Sequence, residues 1–354
     1  MRRSLTFILL FVFSAAAIAK PFSFVALGDT AYNLPDDLPR YEKLIDAINK
    51  DKPEFTIHVG DTWGALPCTQ ENHEWIKGWF NKYDHPVVYT PGDNEWTDCR
   101  KPEILEAYLR IVGKTATQAD YQMIGKARQF DNGLAGTSFA DTLQSLDTIR
   151  NTFFGEPISL GAKTMPVVRQ SDVSDYDEMK ENVRWMKDEV MFGTAHVPGS
   201  GMNFTINDPV RANDAMKRHK AVVEWIKDLF LQAEKEEAKA VVLAIHASLF
   251  IAGEGSEFSG AKLRGNEEGA YYWIALAIRD FANQFGKPVL LINGDFHEFI
   301  IDRPFAVSQG EAEPPLYGNI TRLQVYGAPE LRSVKVTVDT DTPWVFSFSP
   351  LWVE

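Results

Sequence analysis

The sequence predicts an α/β protein built on a largely parallel sheet, and three observations carry the prediction. Short runs rich in β-branched and aromatic residues alternate with amphipathic stretches of helical period. Strand, helix, strand in that rhythm calls for parallel pairing through right-handed crossovers. The dipeptide Gly-Asp then follows three of the apolar runs, at Gly28-Asp29, Gly60-Asp61 and Gly294-Asp295. In an open α/β sheet the carboxyl ends of the strands form the crevice where ligands bind. Carboxylates delivered there repel one another unless a positive charge sits between them, and a divalent metal is the economical choice.

The chain opens with Arg2 and Arg3, an apolar run over 5–13 and small residues ending Ala17-Ile18-Ala19. That pattern predicts a secretory signal over 1–19, leaving 20–354 as the mature domain. The apolar run is shorter than the ~20 residues needed to span a bilayer, and no other segment is apolar enough to cross a membrane. A periplasmic or secreted protein is therefore expected, two charges more negative than the full chain.

Strand character marks 22–27, 55–59, 86–90, 238–245 and 288–292. Between them, 37–50 places Leu44, Ile45 and Ile48 on one face, and 216–235 places Val222, Ile226, Leu229 and Phe230 on a stripe. A third helix over 270–285 stops at Gly286. The stretch 100–187 breaks the rhythm with polar, glycine-containing segments, and it reads as an insertion or cap over the crevice. A further strand over 190–197 ends in His196-Val197-Pro198-Gly199. The tail, 321–326, 333–338 and 344–348, alternates apolar and polar residues, as antiparallel strands with one solvated face do.

Composition narrows the function. With 45% hydrophobic and 12% aromatic residues the chain can bury a sizeable core. A net charge of −13 is the wrong sign for bulk nucleic-acid binding through the phosphate backbone. Cys68 and Cys99 are the only cysteines, each a few residues beyond an acidic motif. Export permits a bridge between them, adding about 3–4 kcal/mol in the chain-entropy model; two free thiols are the alternative.

Two more strand ends carry ligand-type residues. The run 87–90 leads to Pro91-Gly92-Asp93-Asn94-Glu95, and 241–245 leads to His246. The candidate metal ligands are Asp29, Asp61, Asp93 or Asn94, His246, Asp295 and His297. Mixed carboxylate and imidazole donors suit Zn, Mn or Fe over Ca or Mg. A single Gly-Asp after a strand is commonly a turn or helix cap; the joint pattern is what points to a metal. His58, inside a strand, reads as a core histidine, and His73, His85 and His219 as solvated. Trp63 and Trp96 could wall the crevice or pack at its rim, and Glu95 could support a ligand.

This ordering resembles the calcineurin-like metallophosphoesterases, whose motifs run Asp-x-His, Gly-Asp, Gly-Asn-His-(Asp/Glu), a lone His and Gly-His-x-His. The resemblance spans Gly28 to His297 and implies a four-layer αββα sandwich, with the tail strands in its second sheet. It implies two divalent metal ions at one rim, one on Asp29, Asp61 and His297, the other on Asp61, Asp93, His246 and Asp295. It further implies hydrolysis of phosphate mono- or diesters by a hydroxide held between the metals. The motifs also depart from the family's. Ala31 stands at the metal-binding His of the first motif, with Tyr32 the nearest substitute. Asp93 and Asn94 stand where Asn and His are usual, and Asp295 replaces the first His of the last motif. Asn94 could orient a phosphate oxygen, and His196, at a strand end before Pro198-Gly199-Ser200-Gly201, is the candidate proton donor. The expected partner is a small phosphate ester. A non-catalytic metal- or phosphate-binding protein on the same fold is the alternative.

Overall fold

The computed structural model describes residues 20–64, 66–98, 117, 142–250, 269–306 and 317–353. Residues 1–19 and most of 100–141 fall outside that set.

Alternation along the first strand sets up the layers. In β1 (Phe22–Leu27), Phe24 and Ala26 face a core shared by two sheets, while Val25 and Leu27 face helices on the other side. β2 (Thr56–His58) and β3 (Val87–Tyr89) extend the sheet in parallel from β1. The intervening helix α1 (Leu38–Asp51) has a proline in its first turn, buries Tyr41, Leu44, Ile45 and Ile48, and ends at Lys52 with φ 53°. α2 (Gln70–Phe80) is capped by Thr69, whose side chain accepts from Asn72 N. α3 (Thr142–Phe153) completes this outer layer, with Leu146, Ile149 and Phe153 in the core beneath it.

The second sheet has seven strands. In sequence order they begin β4 (Val168–Arg169), β5 (Val183–Lys187), β6 (Val190–Thr194), β7 (Ala240–Ala244) and β8 (Val289–Asn293). β9 (Ile300–Asp302) and β10 (Ile320–Gln324) complete it. Its spatial order is β4-β5-β6-β7-β8-β10-β9, with β6, β7, β8 and β10 mutually parallel. Strands β7 and β8 are buried along their whole length, as a parallel strand covered on both faces requires. α4 (Pro209–Lys235) and α5 (Ala270–Phe285) cover its outer face through Val222, Ile226, Leu229, Ile274 and Ile278. Between the sheets, Phe24, Ile57 and Val88 meet Phe192, Val242, Leu290 and Ile292. The result is a four-layer αββα sandwich.

Three expectations are corrected. The tail does not stay together: β10 joins the seven-stranded sheet parallel to β8, whereas β11 (Arg332–Val338) and β12 (Phe346–Trp352) extend the β1 sheet antiparallel. β10 is buried on both faces and also pairs antiparallel to β9, so its alternation marks neither a solvated face nor a single strand direction. Residues 142–187, within the stretch read as a cap, supply α3, β4 and β5 to the layers themselves. His73 and His85 are buried rather than solvated, His73 against Trp63 and Phe153 and His85 with Nε2 2.8 Å from Thr56 Oγ1. Cys68 is buried beside the backbone of Asn94 and Glu95; its expected partner, Cys99, lies outside the described residues.

Candidate metal centre

The parallel strands of both sheets end at one rim. β1, β2 and β3 deliver Asp29, Asp61 and Asp93 there, β7 delivers His246, and β8 delivers Asp295 and His297. Asp29, Asp61, Asp295 and His297 have φ of 50°, 51°, 79° and 59°. This left-handed backbone turns the chain sharply out of each strand and costs about 1–3 kcal/mol per residue. The glycines of the motifs clear space for carboxylates from neighbouring strands. A Cβ on Gly92 would collide with Asp61 Oδ1, and one on Gly294 with Asp29 Oδ2.

His246 Nε2 lies 3.5 Å from Asp61 Oδ1 and 3.4 Å from Asp93 Oδ1. His297 Nε2 lies 3.6 Å from Asp29 Oδ1. Asp29, Asp61 and His246 offer ligand atoms within 4.8 Å of one another, as do Asp93, His246 and Asp295. The structure thus brings all six candidate ligands together.

Each is oriented from behind. His246 Nδ1 is 2.7 Å from Val59 O and His297 Nδ1 2.8 Å from Ala328 O. A carbonyl can only accept, so Nδ1 carries the proton and Nε2 is the atom turned to the centre. Tyr32 Oη donates to Asp61 Oδ2 at 2.5 Å, and Asn94 N to Asp61 Oδ1 at 3.1 Å. Asp295 N donates to Asp29 Oδ1 at 2.9 Å, and Ser248 N to Asp295 Oδ2 at 3.2 Å. Glu95 accepts from Thr62 N at 2.7 Å and Gly92 N at 3.0 Å, tying the second and third motif loops together.

The calcineurin-like phosphoesterase family model matches residues 22–299, most of the chain. The chain belongs to that family. A solved structure titled "Structure of PhoD" is similar to it in fold, with a TM-score of 0.50 at 12% identity, covering 94% of this chain and 69% of that one. Another, titled "GAP50 the anchor in the inner membrane complex of Plasmodium", aligns with a TM-score of 0.43 at 9% identity over 94% of this chain and 89% of that one. No curated protein sequence matches the chain.

For a calcineurin-like phosphoesterase the donor set fits divalent ions. Asp29 Oδ2 and His246 Nε2 are fully buried, yet neither has a hydrogen-bond partner. An unpaired buried carboxylate oxygen is costly unless a cation claims it. Electrostatics point the same way. Burial raises the Asp29 carboxyl to about 7, with Asp295 and Asp93 adding to the rise against His246. Burial likewise holds Asp61 well above the usual carboxylate range. Burial pulls His246 down, but Asp61, Asp93 and Asp29 outweigh it and hold the imidazole well above 6.5. Four crowded carboxylates share whatever positive charge is near.

The expected acid and phosphate-orienting groups are placed differently. His196 is fully buried, with Nδ1 2.9 Å from Glu181 Oε1, its backbone N–H donating to Asn182 Oδ1, and its ring beside Trp96. Glu181 is also gripped by Arg150 at 2.8 and 3.0 Å. None of those partners is a candidate ligand, and burial pulls the His196 pKa below 6.5, so the ring serves a buried ion-pair network rather than a leaving group. Asn94 spends its amide hydrogens on Tyr32 Oη and Trp63 O, both at 2.9 Å. It positions Tyr32 rather than a phosphate. Trp63 and Trp96 are wholly buried and pack at the rim instead of walling the crevice.

Tyr32 enters as a hydrogen-bond donor to Asp61, its phenol held neutral by burial and that carboxylate. Ser200, absent from the sequence-level candidates, donates to Asp93 Oδ2 at 2.7 Å. Its only sequence signal is a place after a strand in Pro198-Gly199-Ser200-Gly201, which many loops share.

Proposed function

We propose that this calcineurin-like phosphoesterase is an exported, metal-dependent phosphodiesterase. The observation that carries the reading is the convergence of four carboxylates and two Nε2 atoms at one rim. By the family's motif order, two ions would divide as Asp29, Asp61 and His297 against Asp61, Asp93, His246 and Asp295. Bound there, they would supply Lewis-acid charge and a water acidic enough to attack near neutral pH.

The residues favour a diester. Two divalent charges are cancelled by Asp29, Asp61, Asp93 and Asp295, with the Glu95 carboxylate close behind. The side-chain ion pairs that Asp29, Asp61 and Asp93 make among the described residues are with His297 and His246. A monoanionic diester meets less repulsion at such a centre than a dianionic monoester. With the Asn94 amide spent on Tyr32 and Trp63 and His196 buried against Glu181 and Trp96, a good leaving group is favoured too, since it departs without a proton.

The same commitments are what favour the second reading, a non-catalytic metal- or phosphate-binding protein. Metal content of the purified mature chain and turnover of matched aryl diester and monoester phosphates in Mn2+ or Zn2+ separate the two. Faster diester turnover is expected. Faster monoester turnover overturns the substrate class, and bound metal with no turnover supports the binding reading. Export rests on the pattern of residues 1–19 and carries with it the Cys68–Cys99 bridge. Mass analysis of the mature N-terminus and of unreduced peptides tests both.

A further inference from the structure

The loop after β6 is folded in an unusual way. Ser200, Gly201, Met202 and Asn203 have φ of 47°, 63°, 56° and 64° in succession. Left-handed backbone is ordinarily adopted by single residues, and two of these four, Ser200 and Met202, carry a side chain that resists it. Such strain persists only where the surroundings over-determine it, and here they do. Arg218 Nη1 donates to Met202 O at 2.9 Å, and Tyr271 Oη to Pro198 O at 2.8 Å. The Asn203 side chain joins Thr142 at 2.8 Å and Arg211 at 2.5 Å, and the Met202 side chain is buried in the core. Helices α3, α4 and α5 therefore all clamp one four-residue turn.

What the turn delivers is contact with the metal centre. Gly199 backs so closely onto Asp93 that a Cβ there would collide with Oδ2 and lie 3.1 Å from Asp295 Oδ1. Ser200 Oγ donates to Asp93 Oδ2 at 2.7 Å. With Oδ2 engaged, Oδ1 is the oxygen left facing His246 Nε2, 3.4 Å away.

We infer that Ser200 is a positioning residue of the centre: the left-handed turn exists to hold its hydroxyl on Asp93 and so restrict that carboxylate to one metal-facing oxygen. The inference rests on reading the cluster as a metal site. Loss of an outer partner of a metal ligand typically weakens metal binding about 10–100-fold.

The test pairs Ser200→Gly with Ser200→Ala in the mature protein, with Mn2+ as the probe. Glycine accepts the turn's φ without strain. The Gly variant should therefore melt no lower than the parent in chelator, yet bind Mn2+ at least about tenfold more weakly. Its Co2+ complex should also show an altered visible spectrum. The Ala variant should lose affinity equally, and if it fails to fold the Gly variant alone decides. Equal Mn2+ affinity in parent and Ser200→Gly overturns the role of Ser200 and leaves the metal reading intact. A parent that takes up no Mn2+ overturns both.

Discussion

Replacing His73 with phenylalanine should remove a large part of the acid sensitivity of folding. The ring is wholly buried, with centroids 5.2 Å from Trp63 and 5.9 Å from Phe153, and neither nitrogen has a hydrogen-bond partner. Burial lowers its pKa from 6.5 to about 4. Between those values the unfolded chain holds a proton that the folded ring refuses, so stability falls as pH falls. The His73 contribution is fully present above about pH 6.5 and gone below about pH 4. At about 1.4 kcal/mol per pH unit, the whole window is worth about 3 kcal/mol. Urea unfolding in chelator, followed by tryptophan fluorescence at about pH 7.5 and about pH 4.5, reads most of it. The parent should lose about 2.5 kcal/mol more than His73→Phe between the two conditions. His58 and His85, lowered by burial to about 3 and about 4, act in the same direction but are common to both proteins. Identical pH dependence in the two would refute the neutral, unpartnered ring.

Asp61→Asn and His246→Ala should each abolish hydrolysis and tight metal binding together, because both residues face the centre's other ligands at 3.4–3.5 Å; calorimetry with Mn2+ alongside turnover checks this, and retention of both properties in either variant counts against the site. Gly92→Ala should weaken metal binding and lower the melting temperature, since its new Cβ strikes both Asp61 Oδ1 and the Asp61 backbone nitrogen; equilibrium dialysis against Mn2+ and a thermal melt decide. Glu181→Ala should cost about 3–5 kcal/mol by stranding Arg150 in a buried site, with Mn2+ affinity unchanged; lost affinity at full stability would instead tie the His196 network to the centre.

Much of this was legible locally. A strand ending in Gly-Asp says that an acid sits at a sheet edge, and four such ends with a strand-end histidine in family order say that the acids meet. The four-layer architecture follows from the same rhythm once the family is recognised. Direction was harder to read. Alternation in 321–326 suggests a solvated face, yet β10 is buried, with Arg322 and Gln324 spending their polar ends on Asp302 and the Glu298 carbonyl. It pairs parallel to β8 and antiparallel to β9. Nothing in the polar character of 142–187 announces that α3 and two strands of the second sheet lie within it.

The sequence by itself determined which side chains lie at strand ends, because the chain's own period sets that. Only the tertiary structure decided what each of them faces. His246 looks onto Asp61 and Asp93, His196 onto Glu181 and Trp96, and His73 onto Trp63 and Phe153. Three histidines with similar local surroundings thus hold three different roles. The physical reason is that the charge, proton affinity and ligand capacity of an imidazole depend on burial and on partners supplied from distant parts of the chain.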